Sequence, residues 1–300
     1  MILKEIRMNM MRVCVVIVGM ILAGQMEVRA GWDPKFYAYC VEVGVPGLKP
    51  HALPEQAKLL KEIGFDGAGY AVWLGDEMEK NLKLLDDNGL QVYMFWTSVN
   101  LKAEQGRMYD QQLPDAIRKL KGRPVVICVL LGGFKAGDLQ GMDLAIKVLR
   151  ELGDVAAEAG IRISIYNHVG NWTESLPFVT EVVRKVDHPQ VGFNFNLCHW
   201  LKVDGNGDYR LLLRDNVKKL FVVTINGAQT DAKGWTNGLI QPLDKGNFEN
   251  GRFLGFLAET GYNGPVGLMC FGIPGDAAEH LSRSMETWKK MKTKLNIQVK

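Results

Sequence analysis

EIGFDG (62–67), DNGLQV (87–92), EAGIRI (158–163) and ETGYNG (259–264) repeat one local pattern. In each, a glycine ends a helix-period segment and an apolar stretch follows at once. A glycine there supplies the left-handed cap that closes a helix. Before these caps lie apolar stripes at helical spacing: Leu59, Leu60 and Ile63; Leu82, Leu84 and Leu85; Ala145, Val148, Leu149, Leu152 and Val155. Runs rich in β-branched and aromatic residues recur at 36–41, 67–73, 91–97, 125–131, 161–167, 191–196, 220–226 and 265–271. Strands alternating with helices predict a parallel sheet. Eight such units over residues 31–300 predict one domain, an α/β protein with a (β/α)8 barrel. The alternative is an open doubly wound sheet, which usually carries a glycine-rich phosphate fingerprint. No G-x-G-x-x-G follows the first strand, and there is no P-loop.

The chain has 300 residues, 47% hydrophobic and 23% charged, which excludes a disordered chain. Its 36 Lys+Arg and 33 Asp+Glu leave a net charge of +3, no footprint for nucleic acid. Lys4, Arg7 and Arg12 precede the apolar run VCVVIVGMILAG (13–24), and Val28-Arg29-Ala30 offers a cleavage site. That is the pattern of a secretory signal peptide. The run is shorter than the ~20 apolar residues of a bilayer span. Residues 1–30 are therefore expected to be removed on export to the periplasm, with an uncleaved anchor as the alternative. Removal takes away Lys4, Arg7, Arg12, Arg29, Glu5 and Glu27, so the net charge falls from +3 to +1. No later segment reads as a membrane span.

In such a barrel the site lies at the C-terminal ends of the strands. Those ends offer Cys40 and Glu42, Tyr70 and Trp73, Trp96 and Thr97, Tyr166, Asn167 and His168, Asn194, Asn196 and His199, Thr224 and Asn226, and Met269 to Phe271. Aromatic faces beside amide and hydroxyl groups suit a small carbohydrate. The lack of a Lys/Arg cluster speaks against a phosphorylated substrate.

These ends also resemble a known family, the xylose-isomerase-like TIM barrels of the sugar isomerase/epimerase superfamily. GIRISIYNH (160–168) is similar to that family's fifth-strand segment, VGFNFNLCH (191–199) to its sixth and FVVTINGA (221–228) to its seventh. FLAETGYNGPVGLMCFG (256–272) is similar to its eighth, with Gly-Tyr-x-Gly-Pro as the most specific string. The resemblance implies a divalent cation held by Glu, Asp, His and Glu. The matching positions here are Tyr166, Asn196, Thr224 and Met269, neutral oxygens and a soft thioether where a hard cation wants anionic oxygen. No family-type metal site and no other cofactor are expected. A rival site from His168, His199 and Glu42 is conceivable.

Without a metal, hydrogen-bond donors must polarise the carbonyl. His168 and His199 are the expected acid/base groups, because histidine titrates near neutrality. Glu42 is the one carboxylate at a strand end and a further catalytic candidate. Tyr166, Asn167, Asn196, Thr224, Asn226, Trp73 and Trp96 are expected to bind substrate. His51, His188 and His280 read as loop or helix residues. DGNGD (204–208) imitates the start of a calcium loop, but Tyr209 stands where glycine is needed, which favours a helix-capping loop. Of the cysteines after residue 30, Cys40 and Cys270 are the pair that barrel closure would bring together; small buried core residues are the other reading. Cys198, beside His199, is also a conceivable nucleophile. Two functions remain open: an isomerase, epimerase or lyase acting on a sugar or keto-sugar, and a barrel that only binds sugar.

Overall fold

A computed structural model of the protein describes residues 32–39, 51–103 and 108–298. The signal-peptide segment, Cys40 and Glu42 lie outside the described residues, and with them the Cys40–Cys270 pairing. Eight parallel strands close into a barrel in chain order. They are β1 (Phe36–Tyr39), β2 (Gly67–Ala71), β3 (Gln91–Asn100), β4 (Val126–Gly132), β5 (Arg162–Ile165), β6 (Val191–Asn196), β7 (Leu220–Ile225) and β8 (Val266–Met269). The outer helices are α1 (Leu53–Ile63), α2 (Asp76–Asp87), α3 (Leu113–Lys119), α4 (Met142–Ala159), α5 (Leu176–Val186), α6 (Leu197–Val203), α7 (Tyr209–Asp215), α8 (Asn250–Thr260) and α9 (Ala277–Gln298). The expected architecture is thus observed. Gly64, Gly160 and Gly261 are the left-handed caps that close α1, α4 and α8.

Strand alternation divides the interior in two. Phe36, Ala38, Ile163, Ile165, Phe193, Phe195, Val223 and Ile225 pack outward in the layer shared with the helices. Tyr37, Tyr39, Met94, Cys128, Tyr166, Val222 and Met269 fill the barrel itself. The barrel takes two tyrosines from β1 because glycines on the neighbouring strands leave them room. A Cβ on Gly267 would stand 2.5 Å from Tyr37 Cζ, and one on Gly69 would stand 3.0 Å from the same ring. Tyr37 is further fixed by donating to Met94 Sδ at 3.3 Å.

The DGNGD segment caps helices. Asp204 accepts from Leu176 N–H at 2.7 Å and from the Ser175 hydroxyl at 3.1 Å, closing the start of α5. Asp208 accepts from Arg210 N–H at the start of α7. Among the described residues no helix is long and apolar enough to cross a membrane.

Replacing Gly267 by Ala forces a methyl into a buried ring that cannot swing away. The expected cost is about 1–3 kcal/mol, read as a melting temperature lower by several degrees. An unchanged melting temperature would show that the Tyr37 layer is looser than this packing implies.

Candidate active site

The C-terminal mouth of the barrel holds a cavity of about 380 Å³. Its lining includes Tyr39, Trp96, Tyr166, His168, His199, Trp235, Met269 and Phe271, and none of the described lining residues is Asp, Glu, Lys or Arg.

Two histidines form its reactive wall. β5 ends at Ile165, and the chain leaving it carries Tyr166, Asn167 and His168 over the rim. β6 runs straight into α6, whose first turn carries His199. The two imidazole centroids are 4.0 Å apart. Tyr166 meets both rings edge-on, at 5.6 and 5.7 Å.

Val169 holds both rings through its own backbone. Its carbonyl lies 2.8 Å from His168 Nδ1. Its N–H donates to His199 Nδ1 at 3.4 Å. A carbonyl can only accept and an N–H can only donate, so the tautomers follow. Neutral His168 carries its proton on Nδ1 and leaves Nε2 with a lone pair. Neutral His199 carries its proton on Nε2. Burial lowers the His168 pKa, partly offset by the bond to Val169. Burial, with His168 adding to it, holds His199 well below the ordinary histidine range. Both rings are neutral at pH 7, one with a bare Nε2 and the other with an Nε2–H.

Asn196 joins this wall to the barrel. Its Nδ2 donates to the Tyr166 hydroxyl oxygen at 2.6 Å. Its Oδ1 accepts from Cys198 Sγ at 3.0 Å and from His199 N–H at 3.4 Å, which caps α6. Asn167 clips the same residue across the strands: its Oδ1 accepts from Asn196 N–H at 2.9 Å and its Nδ2 donates to Asn196 O at 3.4 Å.

Of the expected substrate-binding residues, Tyr166 and Trp96 line the cavity. The other five have different placements, and the expectation is corrected for them. Asn167 and Asn196 are buried and engaged in the clip and the cap. Thr224 is buried inside β7, with no hydrogen-bond partner for its hydroxyl among the described residues. Asn226 donates to Gly227 O at 2.8 Å and to Leu239 O at 2.7 Å, which folds the connection after β7. Trp73 packs against Tyr70 and Phe95 in the helix layer, because the chain past β2 turns its ring outward. Cys198 is no nucleophile: its thiol is buried, pushed far up in pKa by that burial, and donates to Asn196.

Trp235, Tyr39 and Val169 were not among the expected site residues. Trp235 comes from the long connection 226–249 and stands edge-on to His199 at 5.4 Å. An aromatic in a long loop on the catalytic face of a barrel was the signal available for it.

The four positions matched to a cation site do not fit one. Tyr166 and Asn196 are bonded to each other, Thr224 supplies one neutral oxygen and Met269 a thioether. Among the described residues no group of three or more His, Cys, Asp and Glu could hold a metal ion.

These features define a (β/α)8 barrel whose cavity, among the described residues, is lined by aromatic and neutral side chains around a histidine pair. The chain belongs to the xylose isomerase-like TIM barrel family, whose pattern it matches over residues 57–291. No curated protein sequence matches it significantly. Among solved structures it is similar to 3-keto-D-glucoside 4-epimerase from E. coli, with a TM-score of 0.67 and 18% identity, covering 87% of this chain and 100% of that one. It is also similar to the probable 3-DHS dehydratase AsbF of Bacillus anthracis, with a TM-score of 0.67 and 16% identity over 85% and 98% of the two chains. D-psicose 3-epimerase of Clostridium cellulolyticum H10 gives a TM-score of 0.63 and 14% identity over 87% and 99%. At such identity the likeness establishes the fold.

Dialysed protein is expected to hold far less than one Mn, Mg, Zn or Co ion per chain. Elemental analysis that found one tightly bound ion per chain would overturn the donor argument.

Proposed function

We propose that this barrel moves a proton next to the carbonyl of a neutral sugar or keto-sugar, without a metal ion, using His168 and His199. The observation that carries the reading is the backbone of Val169, whose carbonyl faces His168 Nδ1 while its N–H faces His199 Nδ1, which gives the two rings opposite tautomers. His168 Nε2 takes the proton from the carbon beside the carbonyl. His199 Nε2–H donates to the carbonyl oxygen as charge develops there. The enolate formed, held by the hydrogen bond from His199, then takes a proton from solvent on the opposite face, takes one on the former carbonyl carbon while the adjacent hydroxyl gives up its own, or expels a β-substituent that leaves with the proton held by His168. These three outcomes are epimerisation, isomerisation and elimination. Aromatic walls without a cationic group support a neutral sugar as the substrate. The sugar epimerases among the similar structures are in keeping with this chemistry.

The second reading is a barrel that only binds sugar. It is favoured by the packing of Tyr166 and Asn196 where the family pattern calls for a cation. Incubating the protein with a panel of keto-sugars in D2O separates the two. Deuterium is expected at the carbon beside the carbonyl, and His168→Gln or His199→Gln should slow its uptake by about 10²–10⁴. Sugar bound without any exchange selects the binder. Because the base must be neutral and both histidine pKa values are lowered, exchange should persist as pH falls through 6.5 and decline only below it. A half-loss centred near 6.5 would count against His168 as the base.

Export belongs to the same proposal. Protein recovered from the envelope fraction is expected to begin after Ala30, and N-terminal sequencing that finds Met1 would reject both cleavage and the periplasmic location.

A further inference from the structure

Among the described residues three large apolar side chains are strongly exposed: Leu139, Leu211 and Phe271. Leu139 and Leu211 lie on outer helical segments and are not among the described lining of the cavity. Phe271, at 47% exposure, lines the cavity. An exposed ring at a cavity mouth is apolar surface that gains from being covered. It follows β8, and the segment after it is tied to the connection 226–249: the Thr236 hydroxyl donates to Gly272 O at 3.3 Å. That bond joins the residue after Trp235 to the residue after Phe271. The two aromatics therefore border the mouth as one rim, while the edge contact of Trp235 with His199 links the rim to the reactive wall.

Trp96 adds a further aromatic face to the cavity lining. None of the described lining residues is Lys or Arg. Lys202 Nζ lies 5.5 Å from the Trp235 ring and donates to Lys233 O at 2.6 Å. The cavity volume of about 380 Å³ equals roughly a dozen waters at ~30 Å³ each. One hexose displaces about half of that, so a single ring at the histidines leaves the rim uncovered.

We propose that the cavity is a two-ring site for a neutral disaccharide or similar glycoside, with one ring between the histidine pair and Trp96 and the next ring stacked on Phe271. The assignment rests on the proton-transfer reading only for which ring carries the carbonyl. Phe271 and Trp235 present apolar faces that pyranose rings stack on, and no Lys or Arg among the described lining residues favours a second unit that is phosphorylated or carboxylated.

Calorimetry on the full chain tests this with maltose, cellobiose and lactose, their monoketone derivatives, and glucose and galactose in the same two forms. At least one disaccharide is expected to bind about tenfold more tightly than its component monosaccharide. Phe271→Ala should abolish that ratio, and Phe271→Tyr should retain it. Equal affinity for one and two rings in the parent protein, no binding of any disaccharide, or a ratio unchanged in Phe271→Ala would each overturn the two-ring site. Deuterium exchange into the same ketones is read separately. A disaccharide preference without exchange sinks the proton-transfer reading and leaves the two-ring site standing. Exchange without a disaccharide preference does the reverse.

Discussion

The Asn196 side chain makes three hydrogen bonds while its backbone makes two more, and the rim is built on them. Its amide nitrogen holds the Tyr166 hydroxyl, its amide oxygen caps α6 and takes the Cys198 thiol, and Asn167 grips its peptide groups from the next strand. Tyr166 packs edge-on against both histidines, and α6 carries one of them. The separation of the two imidazoles is therefore fixed from the barrel side by strand-end contacts and from the solvent side by Val169. An amide suits this place because it donates and accepts at once. A carboxylate at position 196 would accept only, and the donation to Tyr166 would have to reverse.

Burial then sets the state of the two rings. The histidines sit among Tyr166, Trp235 and Met269 with no described carboxylate beside them, so burial opposes their protonation, offset at His168 only in part by its bond to Val169. Ordinarily a histidine chooses its tautomer from small differences. Here one residue's backbone chooses for both rings, because its two polar groups have opposite roles. The result is one ring with a bare Nε2 and one with an Nε2–H, distinguished by what each Nδ1 touches.

Much of the fold was legible in the sequence, and less of the site. The glycine caps at Gly64, Gly160 and Gly261 and the recurring apolar runs are local features, and local features survive translation into a one-letter string. The histidine pair was also legible, since neighbouring strand ends must share a rim. Asn167, Asn226 and Trp73 were read as ligand contacts, and none of them is among the described residues that line the cavity. Their residue types suited a sugar, but backbone groups of the connecting segments took the amides and the helix layer took the indole. The position of Trp235 and the role of Val169 were not legible, for the opposite reason. The place of Trp235 is decided by bridges within the connection, such as Gly227 to Gln241 and Ala228 to Gly246. Val169 acts through its backbone, which carries no side-chain signal at all.

The four neutral residues at 166, 196, 224 and 269 make sense only as a set. Each is almost fully buried. A cation surrounded by carboxylates balances their charge, and each carboxylate is tolerable in the interior only while the balance holds. With no cation bound, a single Glu or Asp left at one of these positions would be an unpaired buried charge, costing several kcal/mol or taking up a proton to escape that cost. Such a charge would also raise the pKa of His199, next to Asn196 in the cap, and favour imidazolium where a neutral donor is wanted. Replacing one ligand alone would thus unsettle both the core and the histidine pair. Replacing all four leaves a phenol–amide bond, a hydroxyl and a thioether, none of which perturbs the two rings electrostatically. The neutral set therefore keeps the two rings as they are, because with no charge at these four positions burial favours both imidazoles unprotonated.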